Sequence, residues 1–140
     1  MSTSIACIFY KNDKLFIAKR QNFGQMGGRW EFPGGKVEEG ESFEQAIIRE
    51  MHEEFNTEVT VIERIAQTEF MHNDKKCMLY AYAVAFEHDG MEIPFELTEH
   101  TEYKWVKPSE IKKLDFVDSD LKIYKPVVKY IKGLKKHEKN

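Results

Sequence analysis

Three glutamates on one predicted helix are the residues of this sequence best suited to metal chemistry. Glu50, Glu53 and Glu54 are spaced i, i+3 and i+4, so a helix would carry their carboxylates on one face. Like charges at this spacing repel each other, and each pair destabilises an isolated helix by about 0.2–0.5 kcal/mol. A divalent cation would turn that repulsion into coordination. Hard oxygen ligands, with no cysteine or paired histidine nearby, favour Mg²⁺ or Mn²⁺ over zinc.

The residues before this helix distinguish a metal site from an ordinary acidic surface. Surface helices often carry glutamates that pair with cations such as Arg49, and such pairs contribute little stability. Here Gly34, Gly35 and Lys36 predict a glycine turn and a cation upstream of the carboxylates. Backbone at a glycine turn approaches metal and phosphate closely, and Lys36 offsets phosphate charge. A metal, a cation and a backbone cradle are the parts that a diphosphate site needs.

The helix that carries the glutamates has clear local signals. Apolar residues recur at intervals of three and four from Phe43 to Met51, which predicts a helix over residues 42–55. Ser42 is the predicted N-cap, and Gln45 completes a capping box. Asn56 predicts a left-handed residue at the C-terminal end, because asparagine tolerates that conformation.

The other elements predict one mixed α/β domain over residues 1–140. Strands are expected over residues 4–10 and 14–19, joined as a hairpin by a turn at 11–13, and over 30–32, 58–69, 77–86 and 103–106. A turn at 72–75 joins the long pair, and a loop covers 21–29. Helices are predicted over 108–114 and 121–134, followed by a frayed tail at 135–140.

Composition and charge exclude several functional classes. The 140 residues are 41% hydrophobic and 32% charged, as in a globular domain, and a net charge of -3 gives no basic field for long nucleic acid. No run approaches the ~18 apolar residues that span a bilayer, and no leader is evident. We therefore expect a cytoplasmic monomer or homodimer without membrane partners. Cys7 and Cys77 lie among apolar residues and are expected to be buried free thiols.

Residues 35–57 resemble the signature of the Nudix hydrolase family. That signature reads G-x5-E-x7-R-E-U-x-E-E-x-G-U, where U is a bulky aliphatic residue. The sequence matches it at Gly35, at Glu41 and at every charged position from Arg49 onward, and it departs at Asn56 and Thr57. Asn56 is expected to preserve the helix end, and Thr57 to loosen local packing.

The resemblance covers nearly the whole chain and implies the Nudix α/β/α sandwich, with a mixed β-sheet between helices. Residues 30–36, 105–110 and 115–120 are similar to the MutT-type subgroup and to a CTP pyrophosphohydrolase group. This similarity implies Mg²⁺-dependent hydrolysis of a nucleoside triphosphate, or an oxidised nucleotide, to the monophosphate and pyrophosphate. In the MutT subgroup water attacks the β-phosphorus. The alternatives are a nucleotide sugar or dinucleoside polyphosphate as substrate, or a nucleotide-sensing domain without catalysis.

The resemblance also implies a role for individual residues. The metal ligands would be Glu50, Glu53, Glu54 and the Gly34 carbonyl, with Arg49 orienting the carboxylates and with Gly35 and Glu41 supporting the loop or an additional metal. The proton acceptor would be a glutamate of the signature or Glu99, with Glu102 as its rival. Arg20 would contact phosphate or base, Lys36 would contact phosphate, and Asp120 would read the base edge.

The outer residues of this set also have simpler interpretations. Arg20 fits a surface charge at a strand end, and Asp118 or Asp120 fits a cap of the last helix. If Asp120 is ionised it only accepts hydrogen bonds, which suits cytosine, adenine or an oxidised purine without choosing among them. His52 is expected to face solvent. Three aromatic side chains fit core packing better than stacking on a base: Phe23, Phe70 and Tyr80.

Overall fold

A computed structural model describes residues 2–22, 24, 27–88 and 95–138 of the chain. Within these residues the strands are β1 (Ser2–Ile8), β2 (Tyr10–Lys11), β3 (Lys14–Arg20), β4 (Trp30–Glu31), β5 (Gly34–Lys36), β6 (Val59–His72), β7 (Lys75–Phe86) and β8 (His100–Val106). The helices are α1 (Phe43–Phe55), α2 (Pro108–Ile111), α3 (Asp118–Leu121) and α4 (Tyr124–Glu138). No helix in the described part of the chain is both long and apolar enough to cross a bilayer.

The strands form two four-stranded sheets. The first has the order β5-β1-β7-β6, in which β1 runs parallel to β7 and antiparallel to β5. The second is antiparallel, and its central strand β3 pairs with β2, β4 and β8. The mixed sheet that the resemblance implied is therefore confirmed, with a second, antiparallel sheet beside it.

Alternating residues of β1 and β3 face two separate hydrophobic clusters. Ala6 and Ile17 belong to a cluster that includes Val127 of α4, whereas Cys7 and Phe16 belong to one that includes residues of α1. Strands buried on both faces read as continuous apolar runs, which explains the composition of β1 and β3. The sheets thus lie between α1 on one side and α2 and α4 on the other, which confirms the α/β/α sandwich.

Helix α1 forms where its local signals predicted. The Ser42 hydroxyl accepts a hydrogen bond from the Gln45 amide, and the Gln45 side chain accepts one from the Ser42 amide. At the other end Asn56 adopts the left-handed conformation (φ 50°), and its amide donates to the His52 carbonyl. Thr57 is buried, and within the described part of the chain its hydroxyl has no hydrogen-bond partner, which is unfavourable; the looser packing expected there stays a prediction.

The predicted first hairpin is partly wrong. Residues 4–10 were expected to form one strand, but β1 ends at Ile8 and pairs in the first sheet, and only β2 forms the hairpin with β3. The turn itself is as predicted, since Asn12 and Asp13 both have positive φ. The buried Phe9 separates β1 from β2, and its carbonyl accepts from the Phe16 amide. Thus the chain changes sheets within what looked like a single strand.

Two further predictions need correction. Gly34, Gly35 and Lys36 do not form a glycine turn, because they form strand β5 against β1. The last helix starts at Tyr124 instead of residue 121, after the separate one-turn helix α3. Its backbone is helical to Glu138, which replaces most of the expected frayed tail, and residues 139–140 lie outside the described part of the chain. The long hairpin of β6 and β7 and the buried, unpaired state of both cysteines are confirmed.

Candidate active site

Arg49 is the centre of the hydrogen-bond network between α1 and the loop before it. Its guanidinium donates two hydrogen bonds of 2.6 and 3.0 Å to the Glu41 carboxylate and one of 2.9 Å to the Lys36 carbonyl. A third nitrogen reaches Glu50 at 2.9 Å and Glu53 at 3.2 Å. Hydrogen bonds from Arg49 lower the pKa of Glu41 to about 2. The carboxylates are therefore oriented by a single cation whose own position is fixed from the loop.

Glu50 and Glu54 are buried carboxyls, and Glu54 is only 2% exposed. Burial raises the pKa of Glu54, and the charges of Glu50, Glu31 and Glu99 raise it further. Burial also raises the pKa of Glu50, against the opposing effect of Arg49. One oxygen of Glu54 (Oε2) is buried and has no hydrogen-bond partner among the described residues. A buried, unpartnered oxygen among like charges is unfavourable by itself, and either a proton or a cation would relieve it.

Glu53 lies apart from this buried pair. Its side chain is 55% exposed and is turned toward Arg49. Among the described residues, no three side chains of His, Cys, Asp or Glu converge in a metal-ligating arrangement. The spacing of the glutamates thus places them on one helix face as predicted, but Glu53 would have to leave Arg49 to join the other two.

Gly34 is required by the close approach of β5 to β1. A Cβ atom at Gly34 would lie 2.0 Å from the Ile5 carbonyl oxygen of the neighbouring strand, and backbone atoms cannot move aside. A Cβ at Gly35 would lie 2.6–2.8 Å from the carboxyl atoms of Glu50, so that side chain would have to shift. The Gly35 backbone therefore lies against the Glu50 carboxyl, within a strand.

A cleft of about 1190 Å³ is lined by Gly34 and Gly35, the second of which lies against Glu50, and it reaches helix α3. It is bounded by β5 and β1 on one side, by the tip of the β6–β7 hairpin on another, and by α3 at its end. Its lining includes the predicted substrate contacts Arg20, Lys36 and Asp120. Phe70 also lines it and packs partly against the core, whereas Tyr80 lies against Phe43 at 4.7 Å between ring centroids.

Asp120 is the buried polar residue at the α3 end of the cleft. Its Oδ2 accepts a hydrogen bond of 2.9 Å from the Phe32 amide, so its carboxyl does not cap a helix. The N-cap residue of α3 is Val117, which rules out the predicted capping alternative for Asp118 and Asp120 there. Burial, together with the nearby charge of Glu31, raises the pKa of Asp120 to about 8.

Glu31 and His100 are site residues that the sequence did not reveal. The His100 Nε2 lies 2.8 Å from Glu31 Oε2, and Arg20 Nη1 lies 3.1 Å from Glu31 Oε1. These residues, with Gln21, Thr98 and Glu99, line a second cavity of about 320 Å³ that shares Arg20 and Glu31 with the cleft. For Glu31 the only local signal in the sequence is a charged residue between the two aromatic residues Trp30 and Phe32. For His100 the sequence carries no local signal.

Glu99 is held beside the buried carboxyls by its neighbour Thr98. The Thr98 hydroxyl donates to the Glu53 carbonyl at 2.7 Å, and the Thr98 amide donates to the Glu54 carbonyl at 3.3 Å. The Gln21 side chain in turn donates to the Thr98 carbonyl at 2.8 Å. The rival Glu102 is exposed on β8 and pairs with Lys19 at 3.8 Å, away from the cluster. Geometry therefore favours Glu99 over Glu102.

Comparison with known proteins identifies the family. A model of the NUDIX domain matches residues 2–126. The chain belongs to the Nudix family. It is 32% identical over 117 residues to the CTP pyrophosphohydrolase of Escherichia coli (strain K12), which covers 84% of each chain. It is 31% identical over 84 residues to the 8-oxo-dGTP diphosphatase of the same strain, covering 60% of this chain and 65% of that one.

The fold of this Nudix hydrolase is also that of solved relatives. The solution structure of the E. coli ORF135 protein superposes with a TM-score of 0.79 at 29% identity. The match covers 91% of this chain and 89% of that one. The sandwich is therefore shared with this solved structure.

The predicted site residues of this Nudix hydrolase fall into two groups. The residues of the signature gather around Arg49 and the buried glutamate pair, with Glu99 beside Glu54, whereas Arg20, Lys36 and Asp120 line the cleft. His52 is exposed, as expected. Phe23 lies outside the described residues. The roles assigned to these residues remain predictions, which the experiments below address.

Proposed function

We propose that this Nudix hydrolase cleaves a nucleoside triphosphate to the monophosphate and pyrophosphate, acting as a monomer or homodimer. The observation that carries the proposal is the lining of the cleft. Gly34, Gly35 and Lys36 line it where the Gly35 backbone lies against the Glu50 carboxyl, and Arg20 and the buried Asp120 line it as well. Arg20 and Lys36 suit the phosphates of a nucleotide whose base contacts Asp120.

The carboxylate end fits a divalent cation with oxygen ligands. Glu50, Glu53 and Glu54 would hold it together with the Gly34 carbonyl, and Mg²⁺ or Mn²⁺ suits this donor set. The crowding of Glu50, Glu54 and Glu99, with the unpartnered Glu54 oxygen, supports this fit. When bound, the ion supplies positive charge to the phosphates and lowers the pKa of water.

The chain's own groups provide the remaining chemistry. Lys36 and Arg20 bind phosphate oxygens and stabilise the charge that develops on them. Glu99, or a glutamate of the signature, accepts the proton of the attacking water. The new P–O bond forms at the β-phosphorus while the bond to the α-phosphate oxygen breaks, and the monophosphate leaves. The water oxygen thus ends in pyrophosphate.

A nucleotide panel tests the reaction. CTP, dCTP, dGTP and 8-oxo-dGTP are incubated with Mg²⁺ or Mn²⁺, and phosphate and pyrophosphate are measured separately, in ¹⁸O-labelled water for the best substrate. We expect pyrophosphate release, with the label in pyrophosphate. Label in the monophosphate would move the attack to the α-phosphorus. A nucleotide sugar or a dinucleoside polyphosphate that is cleaved faster than every triphosphate would replace the proposed substrate class, and no activity at all would support a sensing domain.

Substitution of Glu53 tests the metal ligands. Glu53→Gln is expected to lower kcat for metal-dependent pyrophosphate release by at least about 100-fold, because one anionic ligand is lost. The exposed position of Glu53 predicts an unchanged melting temperature. Glu44→Gln, an exposed glutamate in the first turn of the same helix, is the control and should retain full activity. Unchanged turnover in Glu53→Gln would refute its assignment.

A further inference from the structure

Glu31 lies where the cleft and the second cavity meet, and both of its carboxylate oxygens have donors. Oε1 accepts from Arg20 at 3.1 Å, and Oε2 accepts from the His100 Nε2–H at 2.8 Å. Glu31 stands opposite Ala18 and His100 opposite Arg20, so the Glu31 and His100 side chains meet across the central strand β3. Three neighbouring strands thus contribute one chain of contacts: Arg20, Glu31 and His100.

Arg20 and His100, the outer members of this series of contacts, differ in solvent exposure. The Arg20 side chain is 45% exposed and ends in the cleft, whereas the His100 side chain is 1% exposed. The His100 ring stacks on Phe55 with an interplanar angle of 16°, which fixes its orientation. A long exposed side chain loses about 1.5–2 kcal/mol of rotamer entropy when it is fixed, so a rigid anchor lowers the cost of using it. His100 provides that anchor through Glu31.

We propose that His100 and Glu31 are positioning residues that hold the Arg20 guanidinium at the phosphate-binding part of the cleft. The inference rests on the proposed function, since it assigns Arg20 to the phosphates of the substrate. Neither His100 nor Glu31 needs to touch the substrate. The hydrogen bond from His100 keeps the Glu31 carboxylate from rotating into the second cavity, and Glu31 keeps the Arg20 side chain from extending into bulk solvent.

Two substitutions of His100 separate positioning from packing. His100→Phe keeps a ring against Phe55 but removes the donor to Glu31, whereas His100→Gln loses the ring but keeps an N–H near the position of Nε2. Positioning predicts that His100→Phe weakens binding of inorganic pyrophosphate by about 10-fold and lowers kcat/KM at least as much. His100→Gln should restore most of the loss. A purely structural role of the ring predicts the reverse order and would overturn the proposal.

A double-mutant cycle tests the coupling to Arg20. Arg20→Ala should weaken pyrophosphate binding at least as much as His100→Phe, and the double variant should be no worse than Arg20→Ala alone. Additive losses would show that His100 acts independently of Arg20 and would refute the inference. His88→Phe, the same change at an exposed histidine, is the control. If His100→Phe does not fold, Glu31→Gln in the same cycle replaces it.

Pyrophosphate binding keeps this inference separable from the proposed function. Isothermal titration with pyrophosphate and Mg²⁺ needs no turnover. Wild-type protein that binds pyrophosphate but cleaves no triphosphate would refute the proposed function and leave the positioning of Arg20 to be decided by the cycle. Wild-type protein that binds no pyrophosphate would refute the inference itself, because no phosphate site would exist at Arg20.

Discussion

Asp120 shows how burial changes the chemistry of one residue. The sequence allowed an ionised carboxylate that only accepts hydrogen bonds. Burial raises its pKa to about 8, so near neutral pH the carboxyl is mainly protonated and offers a donor besides an acceptor. Oδ2 is occupied by the Phe32 amide, which leaves the other oxygen for a ligand. The hydrogen-bonding character of Asp120 toward a ligand therefore depends on a proton that no sequence pattern reports.

The raised pKa of Asp120 predicts a pH-dependent stability. The unfolded carboxyl loses its proton near pH 4 and the folded one near pH 8. The folded state binds the proton more tightly, so its stabilising contribution is complete below pH 4 and is lost as pH rises to about 8. Asp120→Asn does not titrate, and its melting temperature relative to wild type should rise between pH 5 and 9. A constant difference across that range would contradict the raised pKa.

Substrate ranking tests whether Asp120 contacts the base. We expect Asp120→Ala to change the order of kcat/KM among CTP, dCTP, dGTP and 8-oxo-dGTP, because the carboxyl at the α3 end of the cleft is removed. Wild-type preference should also shift between pH 7 and pH 9, whereas Asp120→Asn should keep one order at both. An unchanged order in Asp120→Ala would make Asp120 only the partner of the Phe32 amide.

At the scale of elements, the segment before β8 is fixed to the end of α1 by Thr98. We expect Thr98→Val to lower kcat by about 10-fold with little change in KM, because Glu99 loses its fixed position while the phosphate contacts remain. Thr101→Val, the same change at an exposed position of β8, should have no effect. Equal kinetics of the two variants would show that Glu99 needs no such restraint or is not the base.

Local signals explain which elements could be predicted. Helix α1 carries its own capping box, apolar stripe and left-handed end, all within fifteen residues, so its bounds followed from the sequence. Sheet membership did not, because β1 pairs with β7 about seventy residues later and leaves the hairpin at Phe9. The same reason hid the Glu31–His100 contact, whose partners are 69 residues apart and meet only across β3. Residues that pair across distant strands have no fixed separation along the chain, so no sequence pattern indicates the pair.

For the molecule as a whole, the crowding of Glu54 with Glu50, Glu31 and Glu99 predicts that removal of the Glu54 carboxyl and binding of a metal each raise thermal stability. In EDTA, Glu54→Gln should raise the melting temperature, because burial raises the pKa of Glu54, so the folded protein must hold a proton that the unfolded chain releases at neutral pH. Mg²⁺ at tenfold excess over its Kd should raise the wild-type melting temperature by about 4 °C and that of the variant much less. Calorimetry with both ligand states measures this, and an equal Mg²⁺ shift in both proteins would place the ion elsewhere.

The seven residues from Trp30 to Lys36 join both ends of the cleft. Phe32 holds the Asp120 carboxyl through its amide, while Gly35 lies against Glu50 and the Lys36 carbonyl receives Arg49. Three residue steps of chain span at most about 10 Å. This segment consequently limits the distance between Asp120, which the proposed function assigns to the base, and the Glu50 carboxyl. Selection by length would then accompany selection by base, and a nucleotide whose cleaved bond lies farther from the base would be out of register with the cut.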